Sequence, residues 1–283
     1  MIKKYKKLII ALCVFAFVSV AVVCIIFVPG EFETLDSNYI ISSHTSHAPK
    51  LIAHRGLSAL YPENTMPAFE GALEYGFYGF EFDLHTTKDG EWVVIHDDVV
   101  DHMTDGTGEV ENFTLKEIRA LNIDSGNHIE EQGMKSSKLR IPTLREVLEE
   151  YADKDIVPVI EMKKCDVKYL PTLKDMLDEY KLSDKAVIIS FEKEYLEKYR
   201  KLDGDVDMLY LSKAPTRAEI DWCSEYNMGI NFNQWLLFKS FPAIVYANKK
   251  GLTIGAWTVN NTIFADVMVL MGAEYITTNK ILP

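Results

Sequence analysis

Residues 186–233 read AVIISFEKEYLEKYRKLDGDVDMLYLSKAPTRAEIDWCSEYNMGINFN. Three short apolar runs, 186–190, 207–211 and 229–233, alternate there with two longer stretches, 192–202 and 216–226, whose apolar residues recur at helical spacing. Short apolar runs bounded by turn residues read as strands, and amphipathic stretches between them as helices. Strand, helix, strand order indicates a parallel sheet, because parallel neighbours need a crossover between them.

The alternation continues outward in both directions. Further strands are expected at 51–55, 79–85, 156–162, 253–258 and 274–277, with helices near 65–75, 143–152, 167–181, 236–249 and 262–271. Thr143-Leu144-Arg145-Glu146 has the form of a capping box, with Thr143 at the N-cap and Glu146 at N3. The 233 residues from Leu51 to Pro283 contain no Pro/Gly-rich break, so one domain is expected. Eight strands at that size suit a closed (β/α)₈ TIM barrel of the α/β class. An open doubly wound sheet is the alternative, but the glycine fingerprint of a nucleotide-binding first turn is missing after 51–55. One more strand, Trp92 to His96, follows no helix. Lys88-Asp89-Gly90 is a turn signal, and a hairpin there is expected to set His96 opposite Asp83.

Ahead of the barrel the chain opens Met1-Ile2-Lys3-Lys4-Tyr5-Lys6-Lys7 and then runs uncharged from Leu8 to Val28. At about 1.5 Å per residue that run makes roughly 30 Å of helix, the thickness of a bilayer's hydrocarbon core. The flanking lysines set the N-terminus in the cytoplasm and everything after Pro29 outside. A secretory signal has a shorter apolar region and a small-residue cleavage site, which Phe27-Val28-Pro29-Gly30 does not offer. The expected organisation is a basic tip and single transmembrane helix over 1–28, a polar stalk over 29–50 and a folded domain over 51–283. As a flexible chain the stalk spans about 25 Å.

The first 28 residues hold four of the 30 basic side chains and none of the 42 acidic ones, which leaves the remainder with a net charge of −16. So acidic a chain lacks the basic footprint that nucleic acid requires, and it resists broad electrostatic adhesion to anionic lipid. Cys13 and Cys24 fall in the apolar run, leaving Cys165 and Cys223 outside it. Two cysteines make neither a disulfide scaffold nor a cysteine-based zinc site.

The residues with chemistry stand at strand ends, where barrel active sites are built. His54-Arg55-Gly56 closes the first strand: an imidazole able to move a proton near neutrality, a forked donor for phosphate oxygens, and a glycine permitting close approach. Alone, that tripeptide reads first as a capped strand with a surface histidine. Glu81 and Asp83 share one strand face, while Phe80, Phe82 and Leu84 take the other. Inward-pointing acids are costly without a partner, and two carboxylates suit a hard cation. His85 extends the face to E-x-D-x-H, so a transition metal is a competing idea. Glu161 and Lys163 end a later strand, as a third carboxylate and a phosphate-neutralising amine or simply as an ion pair at the rim. Trp257 ends another, walling the site or packing in the barrel. His44, His47 and His128 read as surface residues, and His102 has no assigned role.

Together these runs resemble the glycerophosphodiester phosphodiesterase family. The matching pieces are HRG at 54–56, PENT at 62–65, E-x-D at 81–83, T-K-D-G at 87–90, HD at 96–97, T-x-G-x-G at 104–108, IPTL at 141–144, E-x-K at 161–163 and WTVN at 257–260. Each is weak alone; nine in order are specific. The resemblance implies a TIM barrel with a small insertion over 97–141. It also implies a Ca²⁺ or Mg²⁺ ion on Glu81, Asp83 and Glu161, an acid/base pair in His54 and His96, and a phosphate clamp in Arg55 and Lys163. His85 falls where the family varies, which weakens the transition-metal idea.

The expected activity is hydrolysis of a glycerophosphodiester to an alcohol and glycerol 3-phosphate at the outer face of the cell membrane. Alternatives are a lysophospholipase D, a hydrolase of a cell-surface glycerophosphate polymer, and a non-catalytic binding barrel. Two departures stand out. His102 replaces the usual arginine, and the usual I-T-D-x-P appears as Ile276-Thr277-Thr278-Asn279-Lys280. Neither belongs to the expected catalytic core.

Overall fold

The computed structural model describes residues 48–124 and 139–282. Eight parallel strands form a closed sheet: β1 (Lys50–Ala53), β2 (Gly79–Thr86), β4 (Val157–Lys164), β5 (Val187–Ser190), β6 (Asp207–Ser212), β7 (Gly229–Asn233), β8 (Ile254–Trp257) and β9 (Tyr275–Thr278). They follow one another in that order, and Ile52 opposite Gly79 joins β1 back to β2. The expected barrel therefore forms, and the open sheet is excluded.

The helices are α1 (Met66–Glu74), α2 (Leu115–Ile118), α3 (Leu144–Tyr151), α4 (Leu170–Glu179), α5 (Lys193–Leu202), α6 (Arg217–Glu225), α7 (Leu237–Lys250) and α8 (Thr262–Leu270). Thr143 and Glu146 close the expected capping box at α3. Thr114 with Glu117 and Thr216 with Glu219 do the same at α2 and α6.

Strand alternation sorts the side chains into two layers. Outward residues of β2 and its neighbours meet the helices, where Phe80 stacks on Phe69 at 4.8 Å and lies 4.9 Å from Tyr151. Inward residues Ile52, Val157, Val159, Val187, Ile189, Leu209, Leu211 and Tyr275 fill the barrel's interior. Register then decides what lies above that plug. Glu81 is level with Val159 and Asp83 with Glu161, so three acids sit over the apolar layers toward the strands' C-terminal ends.

The hairpin forms, but one residue out of the expected register. β3 (Trp92–Val94) pairs antiparallel with β2, Leu84 facing Val94 and Thr86 facing Trp92. Lys88-Asp89-Gly90 occupies a three-residue loop closed by the Thr87 carbonyl accepting from Gly90 N–H and the Glu91 carbonyl from Thr87 N–H, both at 2.9 Å. Centred on Asp89, that loop sets Ile95, not His96, against Asp83, whose carbonyl accepts the Ile95 N–H at 3.0 Å. A slip of one residue exchanges the faces of a strand, so Ile95 turns into a small core with Val93, Val100, Val110 and Ile118. His96 leaves the ladder. That core belongs to the insertion expected over 97–141, of which residues 125–138 lie outside the described part.

The anchor at 8–28, most of the stalk, Cys13, Cys24, His44, His47 and His128 also lie outside the described residues. Among the described residues no helix is long and apolar enough to cross a membrane. Cys165 and Cys223 are both free thiols.

Phe80 is fully buried at the centre of the aromatic cluster, whereas Tyr75, just beyond α1, is half exposed. Phe80→Ala should cost about 3–5 kcal/mol and Tyr75→Ala no more than about 0.5 kcal/mol, read from chemical denaturation midpoints.

Candidate active site

The end of β1 is held in a tight bend. Arg55 and Gly56 both take left-handed backbone angles, φ 56° and 72°, and a side chain on Gly56 would collide with Ala68 of α1 at 2.6 Å. The bend aims the Arg55 N–H at Glu81 Oε2, 2.8 Å away, and the Gly56 N–H at the Glu81 carbonyl. Asn64, also left-handed, locks the loop onto β2. Its amide donates to Asp83 Oδ2 at 2.8 Å, its side-chain oxygen accepts the Asp83 N–H, and its own N–H reaches the Arg55 carbonyl.

Glu81, Asp83 and Glu161 are all buried, and each offers an oxygen within 4.8 Å of the other two. Burial, then the charges of Asp83 and Glu161, push the Glu81 carboxyl well above the usual range. Burial and Asp83 push Glu161 up to about 7. Two cations lean in. Lys163 Nζ lies 3.1 Å from Glu161 and 3.9 Å from Asp83, and Arg55 Nε lies 3.5 Å from Asp83. Burial works to lower Lys163, but Glu161 and Asp83 outweigh it and hold the ammonium charged. Arg55 also donates to Glu63 at 2.8 Å.

One oxygen stays unmatched. Glu81 Oε1 is buried with no hydrogen-bond partner, and it belongs to the cluster that faces the barrel axis. An orphaned carboxylate oxygen beside two further carboxylates, with no sulfur or imidazole in the set, fits a hard divalent cation such as Ca²⁺ or Mg²⁺. His85 does not join it. A register shift at Leu84/His85 turns that ring away, so that Nε2 meets the His96 carbonyl at 3.2 Å and Nδ1 comes within 4.0 Å of Asp98. The E-x-D-x-H site for a transition metal does not form.

The two histidines flank the cluster. His96 Nε2 lies 3.3 Å from Lys163 Nζ, so it reaches the site through the end of β4 rather than by facing Asp83. His96 Nδ1 pairs with Asp97 at 2.8 Å, and the other oxygen of Asp97 pairs with His102 at 2.5 Å. Burial raises Asp97, but the two imidazoles outweigh it and hold the carboxyl below its ordinary value. His54 Nδ1 pairs with Asn279 Oδ1 at 2.7 Å. Burial, then Arg55, push His54 down to about 4, so its ring is neutral at pH 7. His54, Arg55, Glu63 and Asn279 line one open pocket of about 530 Å³. Trp257 stands half-buried at the end of β8, donating to the Asn231 carbonyl at 3.3 Å and packing edge-on against Phe191 at 5.5 Å.

His102 and the 276–280 segment, expected to lie outside the catalytic core, both reach the neighbourhood of the histidine pair: His102 pairs with Asp97, the partner of His96, and Asn279 pairs with His54. Asn64 was visible only as part of PENT, with nothing in its spacing to tie it to Asp83.

A family model described as the glycerophosphoryl diester phosphodiesterase family matches residues 54–282. The chain is 35% identical over 239 residues to a glycerophosphodiester phosphodiesterase of Caldanaerobacter subterraneus subsp. tengcongensis, covering 81% of this chain and 93% of that one. It is 31% identical over 264 residues to human glycerophosphodiester phosphodiesterase 1, covering 81% and 78%. In fold it is similar to an Oleispira antarctica phosphodiesterase solved in complex with the product sn-glycerol-3-phosphate, with TM-score 0.74, 23% identity and coverage of 82% and 93%.

The raised Glu161 fixes the sign of one pH effect. Its carboxyl titrates at about 7 folded and from 4.5 unfolded, so the native state binds the extra proton and stability falls as pH rises through that window. His54, at about 4 folded against 6.5, acts oppositely and costs stability as pH falls. Glu161→Gln isolates the first effect. In chelator its stability relative to wild type should improve by about 1–3 kcal/mol between about pH 5 and pH 8, and added Ca²⁺ or Mg²⁺ should stabilise only the wild type.

Proposed function

The chain belongs to the glycerophosphoryl diester phosphodiesterase family, and from that membership and the barrel mouth we propose that it hydrolyses glycerophosphodiesters to an alcohol and sn-glycerol 3-phosphate. The carboxylate cluster carries the reading. Glu81, Asp83 and Glu161 bring three carboxyls together with Arg55 and Lys163 beside them, an arrangement suited to a divalent ion and an anionic phosphodiester. Glu81, Asp83 and Glu161 would hold the ion, which when bound supplies positive charge for the non-bridging phosphate oxygens.

The remaining groups bind and move protons. Arg55 and Lys163 flank Asp83 from the two strands beside β2, and charge-assisted bonds from them to the phosphate stabilise the negative charge that grows as the diester is attacked. His54, neutral and steered by Asn279, stands ready to accept a proton through Nε2. His96 is steered by Asp97 and presents Nε2 beside Lys163. One ring takes the nucleophile's proton while the other gives a proton to the departing alcohol. Trp257 forms a wall for the glycerol or headgroup.

The location proposed is the outer face of the cell membrane, supported by the sequence: lysines 3, 4, 6 and 7 ahead of the apolar run 8–28. Residues 1–28 would be the tip and anchor, 29–50 the stalk and 51–283 the catalytic domain.

The full chain in detergent, given glycerophosphocholine, should release glycerol 3-phosphate, lose the activity in EDTA and regain it with Ca²⁺ or Mg²⁺. His54→Ala and His96→Ala should each lower kcat by about 10²–10⁴-fold. Wild-type turnover in both would remove the acid/base assignment, and activity indifferent to EDTA would remove the metal.

A further inference from the structure

The barrel mouth is chemically lopsided. On the β2–β3 side the connections carry Asp97, Asp98, Asp101, Glu109 and Glu111. On the other side, the four connections that follow β6, β7, β8 and β9, residues 213–216, 234–236, 258–261 and 279–282, contain no acid at all. The sequence shows the same gap: no Asp or Glu occurs from Tyr226 to Ala265, forty residues in a chain with 42 acids among 283. Lys213, Lys239 and Lys280 follow the ends of β6, β7 and β9 on this half.

The acid-free half is also where the apolar surface gathers. Trp235 is 72% exposed and Phe238 62%, and Leu236, Phe241, Ile263 and Ile281 are exposed beside them in these connections and the first turns of α7 and α8. Those six are most of the ten large apolar side chains exposed among the described residues. They are not scattered. The rings of Trp235 and Phe264 lie 5.8 Å apart, joining the β7–α7 and β8–α8 connections into one patch. The Gln234 amide donates to the Thr258 carbonyl across the same two connections. Asn260 Oδ1 accepts the Asn279 N–H, and Asn279 in turn holds His54. The patch is thus continuous with the rim of the site.

We propose that this rim is a lipid-docking surface that sets the barrel mouth on a phospholipid bilayer. A Trp/Phe/Leu face interleaved with lysine is the composition of segments that lie in the bilayer interface, rings at headgroup depth and ammonium groups reaching phosphate. Charge selects the same face. A domain so acidic is repelled by anionic lipid over most of its surface, and the acid-free, lysine-bearing half of the mouth is where approach is unopposed. The inference does not depend on the reaction assigned above, because it concerns what the rim touches.

All four tryptophans, Trp92, Trp222, Trp235 and Trp257, lie in the barrel, and none in residues 1–47, so their fluorescence reports the barrel's own contact with lipid. The full chain would be reconstituted in phosphatidylcholine/phosphatidylglycerol vesicles whose acyl chains carry bromine near the headgroup. Wild-type fluorescence should be quenched, and Trp235→Phe should lose most of that quenching while keeping the aromatic surface. Phe238→Ser with Phe241→Ser should weaken quenching of Trp235 with circular dichroism unchanged. An unquenched wild type, or quenching that persists undiminished in Trp235→Phe, overturns the proposal. So does a fall in the mass of the detergent-solubilised chain on Phe238→Ser without lipid quenching, which would assign the face to a second copy.

Discussion

Three buried carboxylates crowded above an apolar plug are the constraint on which the rest of the structure turns. At the separations found here, two such charges repel by about 3–4 kcal/mol even at an effective dielectric near 20. Part of that burden is taken up by protonation, since Glu81 is pushed well above the usual range and Glu161 up to about 7. The rest is spread over three donors drawn from the connection after β1 and the end of β4. The Arg55 N–H, the Asn64 amide and the Lys163 ammonium each bind a different member of the cluster. Each of those donors needs a backbone that delivers it, and two of the residues concerned, Arg55 and Asn64, adopt left-handed angles that most side chains avoid. The bend after β1 therefore belongs to the electrostatics of the site as much as to the connectivity of the barrel.

The same crowding organises the proton-moving groups. Lys163 is shared between Glu161 and His96, so the ammonium that steadies the carboxylates also fixes where one imidazole sits. On the other side of Asp83, Arg55 divides its donors between Asp83 and Glu63 while His54, its chain neighbour, is pushed toward neutrality by burial and by that guanidinium. Each histidine keeps Nδ1 occupied, by Asp97 or by Asn279; His54 leaves Nε2 open, while His96 Nε2 faces the Lys163 ammonium at 3.3 Å. An amide on one side and a carboxylate on the other make the two rings electrically unlike, which suits a pair that must act in opposite senses within one turnover.

The barrel was legible from the sequence because its strands are apolar runs of ordinary length separated by helices whose polar faces are plain. Glu81 and Asp83 were legible for the related reason that Phe80, Phe82 and Leu84 alternate with them, so a period of two sorts acid inward and aromatic outward. What spacing did not disclose was register in three dimensions. The hairpin came out one residue displaced because a three-residue loop centred on Asp89 pairs Asp83 with Ile95. His85 left the inward face because β2 shifts against β4 at that point. Asn279 was invisible as the partner of His54 because that contact joins residues 225 apart in the chain, and His102, only five residues from Asp97, was invisible because it stands in a turn with no regular spacing. The segments that carry such contacts look, in sequence, like ordinary polar turns.

The distribution of acids ties these levels together. A domain of net −16 outside its apolar N-terminal run concentrates negative charge around a site that must admit a phosphate, which is unfavourable at long range. The folded chain limits the difficulty by geometry. Its deepest acids are already paired with Arg55 and Lys163, and the acids of the rim cluster in the insertion that follows His96. Apart from Glu219, which caps α6 at Thr216, the half of the mouth built from the β6 to β9 connections carries lysines and no acid, so an anionic substrate has an approach that crosses little negative surface. That freedom from acid costs nothing in the barrel, because none of these connections contributes a carboxylate to the cluster. Beyond Asn279 and the Asn260 that holds it, the site asks little of these connections, and it is there that tryptophan and phenylalanine have come to the surface.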